Sequence, residues 1–342
     1  MSRCLPKELK SIIICGGLPL NKWLIITFIF VLYSCGKTTD EALTDVITSA
    51  ENYLSKGQCQ NAINLLELVG RRNENAKYLK ALAFSYACRA GYSTVTLFAT
   101  DLTKTASISP LGGLATYTTS TVSVQSPFEN DPKFVDLMTA LNILLYAGGI
   151  KSTTEPTTSE RLKYFSASDS GDIDASILYL TLVSLGKYMH VYADTVNGVK
   201  GAGSGSNNCF TSYSNITSGT VLLALSNMAG ACKVTNSSHV QLDFSTIAAP
   251  TRKRRLCQGV VILNTLIATL PSVLASASGG SLSSASAATA AITAAQAVLT
   301  LADPSIGMVA STMNQSICED DSNVPVEKIE HYFALMFEGL IN

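Results

Sequence analysis

Residues 53–66, YLSKGQCQNAINLL, decide the fold, because they place a glycine between two stretches of helical pattern. Before Gly57, apolar residues recur at the i, i+3, i+4, i+7 spacing of one buried helical stripe between Glu41 and Lys56. The same spacing resumes near Gln58 and runs to Gly70. Glycine is common just past a helix end, since it adopts the left-handed backbone conformation at no steric cost. The stretch therefore predicts a helical hairpin.

Helical pattern covers most of the chain that follows. A third helix is predicted from Asn73 to Ala90, and Asp131-Pro132 is a typical helix start. Residues 103–130 are rich in Ser, Thr and Gly, and Pro110 and Pro127 predict a loop there. Further helices are predicted at residues 133–146, 172–196, 217–231, 252–275, 282–302 and 326–341. The sequence predicts an all-α fold, an irregular array or bundle of helical hairpins.

The first hairpin resembles a tetratricopeptide repeat. Ala62 occupies the position where a small residue of that family lets two helices approach, and Gly91 follows Gly57 by 34 residues, the period of the repeat. The resemblance covers residues 41–100 and implies a helical scaffold. Generic helical hairpins are the alternative.

An export signal is indicated by residues 22–35, KWLIITFIFVLYSC. Lys22 precedes an apolar run that is too short for a membrane-spanning helix, which needs about 20 residues. The ending Leu32-Tyr33-Ser34-Cys35 resembles the lipobox of bacterial lipoproteins. The resemblance implies cleavage before Cys35 and attachment of a diacylglyceryl group to its thiol. An uncleaved anchor or an ordinary secretory signal is the alternative.

These patterns divide the chain into five parts. The region before residue 21 is long for a signal peptide and suggests a true start further along the chain, with a real N-terminal extension as the alternative. The parts are a signal peptide at 1–34, a lipidated tether at 35–40, a repeat-like region at 41–197, a flexible Gly/Ser loop at 198–216 and a C-terminal helical region at 217–342 packed on the first.

Cysteine usage agrees with export. Without the two cysteines of the presequence and Cys35, six of the nine remain, and an even number suits a disulfide framework in an oxidising compartment. Sequence order and expected helical neighbours suggest the pairs Cys59–Cys88, Cys209–Cys232 and Cys257–Cys318. Six free buried thiols are the alternative.

Charge and composition exclude some partners. Residues 1–34 hold four of the 24 Lys and Arg and one of the 25 Asp and Glu. The remainder, residues 35–342, therefore carries 20 cations and 24 anions, a net charge of −4. This mild acidity gives no electrostatic reason to bind nucleic acid.

Few residues of the sequence are candidates for catalysis or metal binding. Residues 201–205 alternate glycine without a preceding strand, which favours a loop over a phosphate site. The acidic residues 169–174 match a calcium loop poorly, and Asp172 is predicted to cap a helix. Residues 319–321 are predicted to be a solvated loop, and His331 to lie at the surface or edge of the last helix. A basic run, 252–255, precedes an uncharged stretch that is interpreted as a core helix, with a membrane span as the alternative.

The sequence therefore predicts a lipid-anchored lipoprotein of the bacterial cell envelope, on the periplasmic face, with the outer membrane favoured over the inner. It is expected to act as a helical scaffold or binding protein for an envelope protein partner. We expect no catalysis, no cofactor and no metal site. The alternative function is an accessory small-molecule-binding component of an envelope transport system.

Overall fold

A computed structural model of the chain describes residues 39–107, 110–120, 130–192, 209, 211, 213, 215–221, 223, 247–276 and 283–341. In these ranges the chain forms helices and no strand, which confirms the all-α prediction. The α-helices are α1 (Thr39–Ser55), α2 (Cys59–Leu68), α3 (Ala76–Arg89), α4 (Thr94–Thr96), α5 (Pro110–Ala115), α6 (Pro132–Leu145), α7 (Thr158–Arg161), α8 (Ala167–Tyr192), α9 (Ala249–Ser276), α10 (Ser283–Ala302), α11 (Gly307–Ser311), α12 (Gln315–Glu319), α13 (Val326–Tyr332) and α14 (Glu338–Ile341).

Glycines end the first three helices, as predicted. Gly57 and Gly91 have positive φ angles of 68° and 92°. After each of them, the next amide donates a hydrogen bond of 2.9 Å to a carbonyl of the last helical turn, from Gln58 to Tyr53 and from Tyr92 to Ala87. These are Schellman-type helix ends, which satisfy backbone carbonyls that the helix leaves unpaired. The chain therefore turns in the same way at two points 34 residues apart.

The start of α6 also follows the prediction. Asp131 accepts a hydrogen bond of 3.1 Å from the backbone N–H of Lys133, and Pro132 takes the first helical position. Proline is tolerated there because the first amides of a helix have no intrahelical acceptor.

The predicted loop at 103–130 is wrong for part of its length. Residues 102–107 form a 3-10 helix, and α5 follows at Pro110–Ala115. Leu111 and Leu114 are buried against α8. Pro110 begins a helix instead of breaking one, because its fixed φ suits the first helical turn. Residues 121–129, with Pro127, lie outside the described residues.

The start of α8 differs from its predicted position. The helix begins at Ala167, five residues earlier than expected, and Ser166 caps it by accepting a 3.1 Å hydrogen bond from the Asp169 amide. The predicted capping role of Asp172 is therefore wrong. Asp172 lies in the second turn, where its carboxylate pairs with Lys80 of α3 at 2.9 Å.

Helix α8 lies at the centre of the array. It packs against α3, α5 and α6 on one side and along α9 on the other. Two glycines allow this close packing. A Cβ atom on Gly186 would overlap the Leu114 carbonyl oxygen of α5, and one on Gly259 of α9 would lie 2.7 Å from the Tyr188 ring. The core is therefore continuous from the first hairpins to the C-terminal helices.

We expect Gly186→Ala to destabilise the protein by about 1–3 kcal/mol, the usual cost of overpacking a core. The new methyl group would press on a backbone carbonyl, which cannot rotate away. Gly171→Ala on the same helix is the control, because no atom lies within 4 Å of its Cβ position. It should stabilise the protein by about 0.5–1 kcal/mol through helix propensity. Urea unfolding of both variants measures the difference, and equal effects would contradict the close approach.

The C-terminal half is built around α9. Its residues 256–266 are buried with few exceptions, and none of the helices in the described ranges is long and apolar enough to span a membrane. The predicted helix at 282–302 is confirmed as α10, which buries Ile292, Ala295 and Leu299. The last predicted helix is present with one irregularity, since a π-helical turn at Phe333–Phe337 joins α13 to α14.

A loop of the N-terminal half joins the C-terminal half. The Glu155 carboxylate accepts hydrogen bonds from the Thr312 hydroxyl at 2.6 Å and the Met313 amide at 2.8 Å. The Asn314 side chain donates in return to the Ser152 carbonyl at 2.6 Å. Most of the Gly/Ser segment at 198–216 lies outside the described residues.

Candidate functional site

The predicted cysteine sites are only partly within the described residues. Cys59 is disulfide-bonded to Cys88, and Cys257 to Cys318, with Cα–Cα distances of 5.6 and 5.7 Å. These are two of the three proposed pairs. Cys209 is buried, but its proposed partner Cys232 lies outside the described residues, as does the proposed lipid-bearing Cys35.

The acidic residues at 169–174 are separated by their contacts. Asp169 accepts a hydrogen bond from the Ser166 hydroxyl, and Asp172 pairs with Lys80. Asp174 is buried against the Arg161 guanidinium at 2.5 Å. Among the residues that the structure describes, no three His, Cys, Asp or Glu side chains are grouped to hold a metal ion.

The acidic run 319–321 is separated by its contacts. Glu319 is the last residue of α12 and accepts a hydrogen bond from the Gln315 side chain. Asp320 accepts hydrogen bonds from the Ser322 amide and hydroxyl, and Asp321 pairs with Lys253 of α9 at 2.5 Å. Asp321 is itself exposed, in agreement with the predicted loop.

The first hairpins form a groove that the sequence analysis did not identify. This α1–α3 groove lies between α1, α3 and the first turns of α8 and has a volume of about 440 Å³. It is open to solvent. Its floor includes Ile47, Ala76, Ala81 and Phe84. Its polar lining, which is exposed or half-buried, includes Thr44, Thr48, Glu51, Asn75, Lys77, Lys80, Asp169 and Asp172.

Helical spacing explains why these residues meet. Lys77, Lys80 and Phe84 follow one another at i, i+3 and i+7 on α3, so they share one face of that helix. Thr44, Thr48 and Glu51 follow one another at i, i+4 and i+7 on α1, so they also share one face. The signal is present in the sequence, but it becomes a groove only through the packing of α8 against α3.

The charges of the groove are only partly balanced inside it. Lys80 and Asp172 form an ion pair at 2.9 Å, and both remain partly exposed. Glu51 and Lys77 are exposed and make no ion pair within the described ranges. A bound segment can therefore form ion pairs with Glu51 and Lys77 while its apolar side chains contact the floor of the groove.

One end of the groove continues into an aromatic patch. Phe84 stacks on Tyr92 with ring centroids 5.8 Å apart, and Phe98 meets Tyr179 edge-to-face at 5.1 Å. Burial raises the pKa of Tyr92 to about 12, so its ring stays neutral at physiological pH. Phe98 is 48 % exposed and Val95 is 77 % exposed. Exposed aromatic and aliphatic side chains next to a groove are typical anchors for a bound segment.

A second polar cluster surrounds His331. Contrary to the prediction of a surface position, His331 is buried, with its Nδ1 atom 2.6 Å from Asp303 at the end of α10. Asp303 also accepts hydrogen bonds from Lys328 at 2.7 Å and from Ser305 at 2.7 Å. Burial raises the pKa of Asp303, but these hydrogen bonds outweigh it and hold the pKa well below its usual range.

The other ring nitrogen of His331 has no hydrogen-bond partner and is buried. It faces the Glu327 carboxylate at 3.7 Å. An aspartate that orients a histidine is part of many hydrolase sites, where the free nitrogen activates a hydroxyl or thiol nucleophile. Here it faces a carboxylate, which offers no proton to abstract. The contacts attach α13 to the end of α10.

The basic run at 252–255 is not a solvated flank. Arg252, Lys253 and Arg255 are buried. The Arg252 guanidinium donates to the Glu330 carboxylate at 3.0 Å and to the Thr211 hydroxyl at 2.7 Å. Burial raises the pKa of Glu330, although hydrogen bonds from Asn215 and Arg252 oppose the rise. This buried pair ties α9, α13 and the segment around Asn215 together.

The His331 and Glu330 clusters thus hold helices together, while the α1–α3 groove is open and partly unpaired. The groove is therefore the better candidate for a functional site. Comparison of the chain with known proteins gave no match among family models, curated proteins or solved structures.

Proposed function

We propose that the protein is a lipid-anchored helical binding protein of the bacterial cell envelope, which holds a short segment of an envelope protein in the α1–α3 groove. The observation that carries this proposal is the open groove of about 440 Å³ with an apolar floor, a charged rim and an aromatic patch at one end. No catalytic step forms part of the proposal.

The lipid anchor is supported by the apolar run before Cys35 and by its lipobox-like ending. Helix α1 begins at Thr39, only four residues after Cys35, so an anchor there would keep the helical array close to the bilayer. Two disulfide bonds suit an oxidising compartment such as the periplasm. We place the protein on the periplasmic face, with the outer membrane favoured.

The shape of the groove favours a protein segment over a small apolar molecule. Small-molecule sites enclose most of their ligand between apolar walls. The α1–α3 groove is open, and Thr44, Glu51 and Lys77 line its rim. An accessory small-molecule-binding role would need a more enclosed cavity.

The anchor is tested by Cys35→Ala. The variant should leave the carbonate-washed membrane fraction, whereas the unchanged protein should stay in it and show the mass of a diacylglyceryl group. The test is immunoblotting of fractions from cells that express either form. Retention of the variant in the washed membranes would contradict the anchor and favour an uncleaved helix.

The groove is tested by photo-crosslinking in intact cells. A photoreactive residue at Lys77 should give one discrete partner band, and one at Asn61, exposed on α2, should give none. Adding Glu51→Lys should remove the band, while Glu41→Lys, on the same helix but outside the groove lining, should leave it. A band that survives Glu51→Lys, or the same band from Asn61, would contradict binding in the groove.

A further inference from the structure

Three loops lie side by side at the end of the helical array where α1 begins. The Gly148 amide donates to the Asn73 carbonyl at 2.8 Å, which joins the α6–α7 loop to the α2–α3 loop. The Tyr164 side chain lies against Gly148, where a Cβ atom would be 2.6 Å from its ring. Asp40 of α1 lines a crevice together with Arg72. The loop surface defined by residues 68–73, 148–151 and 162–164 therefore adjoins the start of α1.

Exposed apolar side chains are concentrated on this loop surface. Leu68 is 83 % exposed, and Leu162 and Tyr164 are each 47 % exposed. Exposing leucine and tyrosine side chains to water is energetically unfavourable. The same side chains are stable at the boundary between lipid headgroups and acyl chains.

Cations alternate with these apolar residues. Arg71, Arg72, Lys151 and Lys163 are all exposed. Lys163 pairs with Glu160 at 2.6 Å, but Arg71, Arg72 and Lys151 make no ion pair within the part of the chain that the structure describes. Arg71, Arg72 and Lys151 can therefore interact with a lipid phosphate without first breaking a salt bridge.

Residues 68–73, 148–151 and 162–164 contain no carboxylate, but carboxylates border them. Glu160 pairs with Lys163, and Glu67 accepts a hydrogen bond of 2.5 Å from the Tyr86 hydroxyl. Asp40 and Glu41 lie in the first turn of α1, where they offset the partial positive charge of the helix N-terminus. Glu74 lines the crevice with Arg72, beside the loop surface. The cations and the exposed apolar side chains thus lie together at one end of the molecule.

We infer that the loop surface rests on the anionic surface of a lipid bilayer. The inference depends on the lipid anchor of the proposed function. The four residues from Cys35 to Thr39 span at most about 14 Å, so the anchor would bring this end of the array to the headgroups. Unpaired Arg and Lys then contact lipid phosphates, and Leu68, Leu162 and Tyr164 enter the interface. The groove would be held at a fixed orientation above the bilayer.

Hydroxyl-radical footprinting of the acylated full-length protein tests this contact. The protein is reconstituted on vesicles of pure phosphatidylcholine and on vesicles with about 30 % phosphatidylglycerol, which gives the bilayer a negative surface potential. Oxidation of Leu68 should fall at least about fivefold on the anionic vesicles. Leu301 is the matched reference, because it is 82 % exposed and lies in α10.

Charge reversal provides the second arm. The triple variant Arg71→Glu, Arg72→Glu, Lys151→Glu should lose the protection of Leu68, while Lys56→Glu, at the end of α1 remote from the loop surface, should keep it. If Leu68 is oxidised as readily as Leu301 on both kinds of vesicle, the inference is overturned. Protection of Leu68 that is equal on both kinds of vesicle and survives the triple variant would show that the cations do not direct the contact, and would overturn it as well. A protein that carries no acyl mass would instead refute the anchor itself.

Discussion

Replacing Glu330 by Ala should lower the free energy of unfolding by about 3–5 kcal/mol, the usual cost of removing one partner from a buried ion pair. The change would leave the Arg252 guanidinium buried without its carboxylate partner, because Arg252 is only 1 % exposed and extends from α9 toward α13. It would also remove the acceptor of the Asn215 side chain at 2.7 Å. Urea unfolding followed by circular dichroism measures the loss.

Two further variants separate charge from packing. Glu327→Ala, one turn earlier on α13, removes a carboxylate that is 34 % exposed and should cost less than about 1 kcal/mol. The double variant Arg252→Met, Glu330→Leu should recover most of the stability, since apolar residues of similar volume avoid the cost of burying two charges. A Glu330→Ala variant as stable as Glu327→Ala would show that the pair contributes little.

Local sequence signals predicted the helices well. Gly57, Gly70 and Gly91 end helices where expected, and Asp131-Pro132 starts one. These residues act through their own backbone preferences or through bonds to residues two to five positions away. Such effects do not depend on the rest of the fold, so one sequence is enough to detect them.

Long-range pairing accounts for the contacts that the sequence could not predict. The Arg252–Glu330 pair joins residues 78 positions apart, and the Asp303–His331 contact joins residues 28 apart. A run of basic residues ordinarily lies in solvent, and nothing local indicates that its partner carboxylate will be buried beside it. The fixed φ of Pro110 suits either a turn or the first turn of a helix, and the packing of α5 against α8 selects the helix.

The candidate site could be predicted only in part. The helical faces that carry Lys77, Lys80 and Phe84 follow from their spacing alone. The position of Asp172 opposite Lys80 requires the tertiary structure, because the two residues are 92 positions apart. The loop surface also requires the tertiary structure, since three loops from separate parts of the chain meet there.

The two disulfides should differ in their importance for stability. Removing the Cys257–Cys318 bond with Cys257→Ala and Cys318→Ala should cost about 2–4 kcal/mol, the usual effect of a disulfide loss. The bond closes a loop with a sequence separation of 61, and its cysteines are fully buried. It holds α12, a helix of five residues that is too short to be stable alone, against α9.

The matched control is the pair Cys59→Ala and Cys88→Ala. That bond closes a shorter loop, with a sequence separation of 29, and its cysteines are partly exposed. Loop entropy alone makes the Cys59–Cys88 bond about 0.6 kcal/mol less stabilising than the Cys257–Cys318 bond. Because Cys59 and Cys88 bury less of their sulfur atoms, replacing them by Ala should also leave smaller cavities. Urea unfolding of both double variants under non-reducing conditions measures the difference. A mild reductant should also open Cys59–Cys88 first, because thiolate attack requires access to a sulfur atom. Equal stability losses, together with simultaneous reduction, would show that the burial of α12 does not depend on its disulfide.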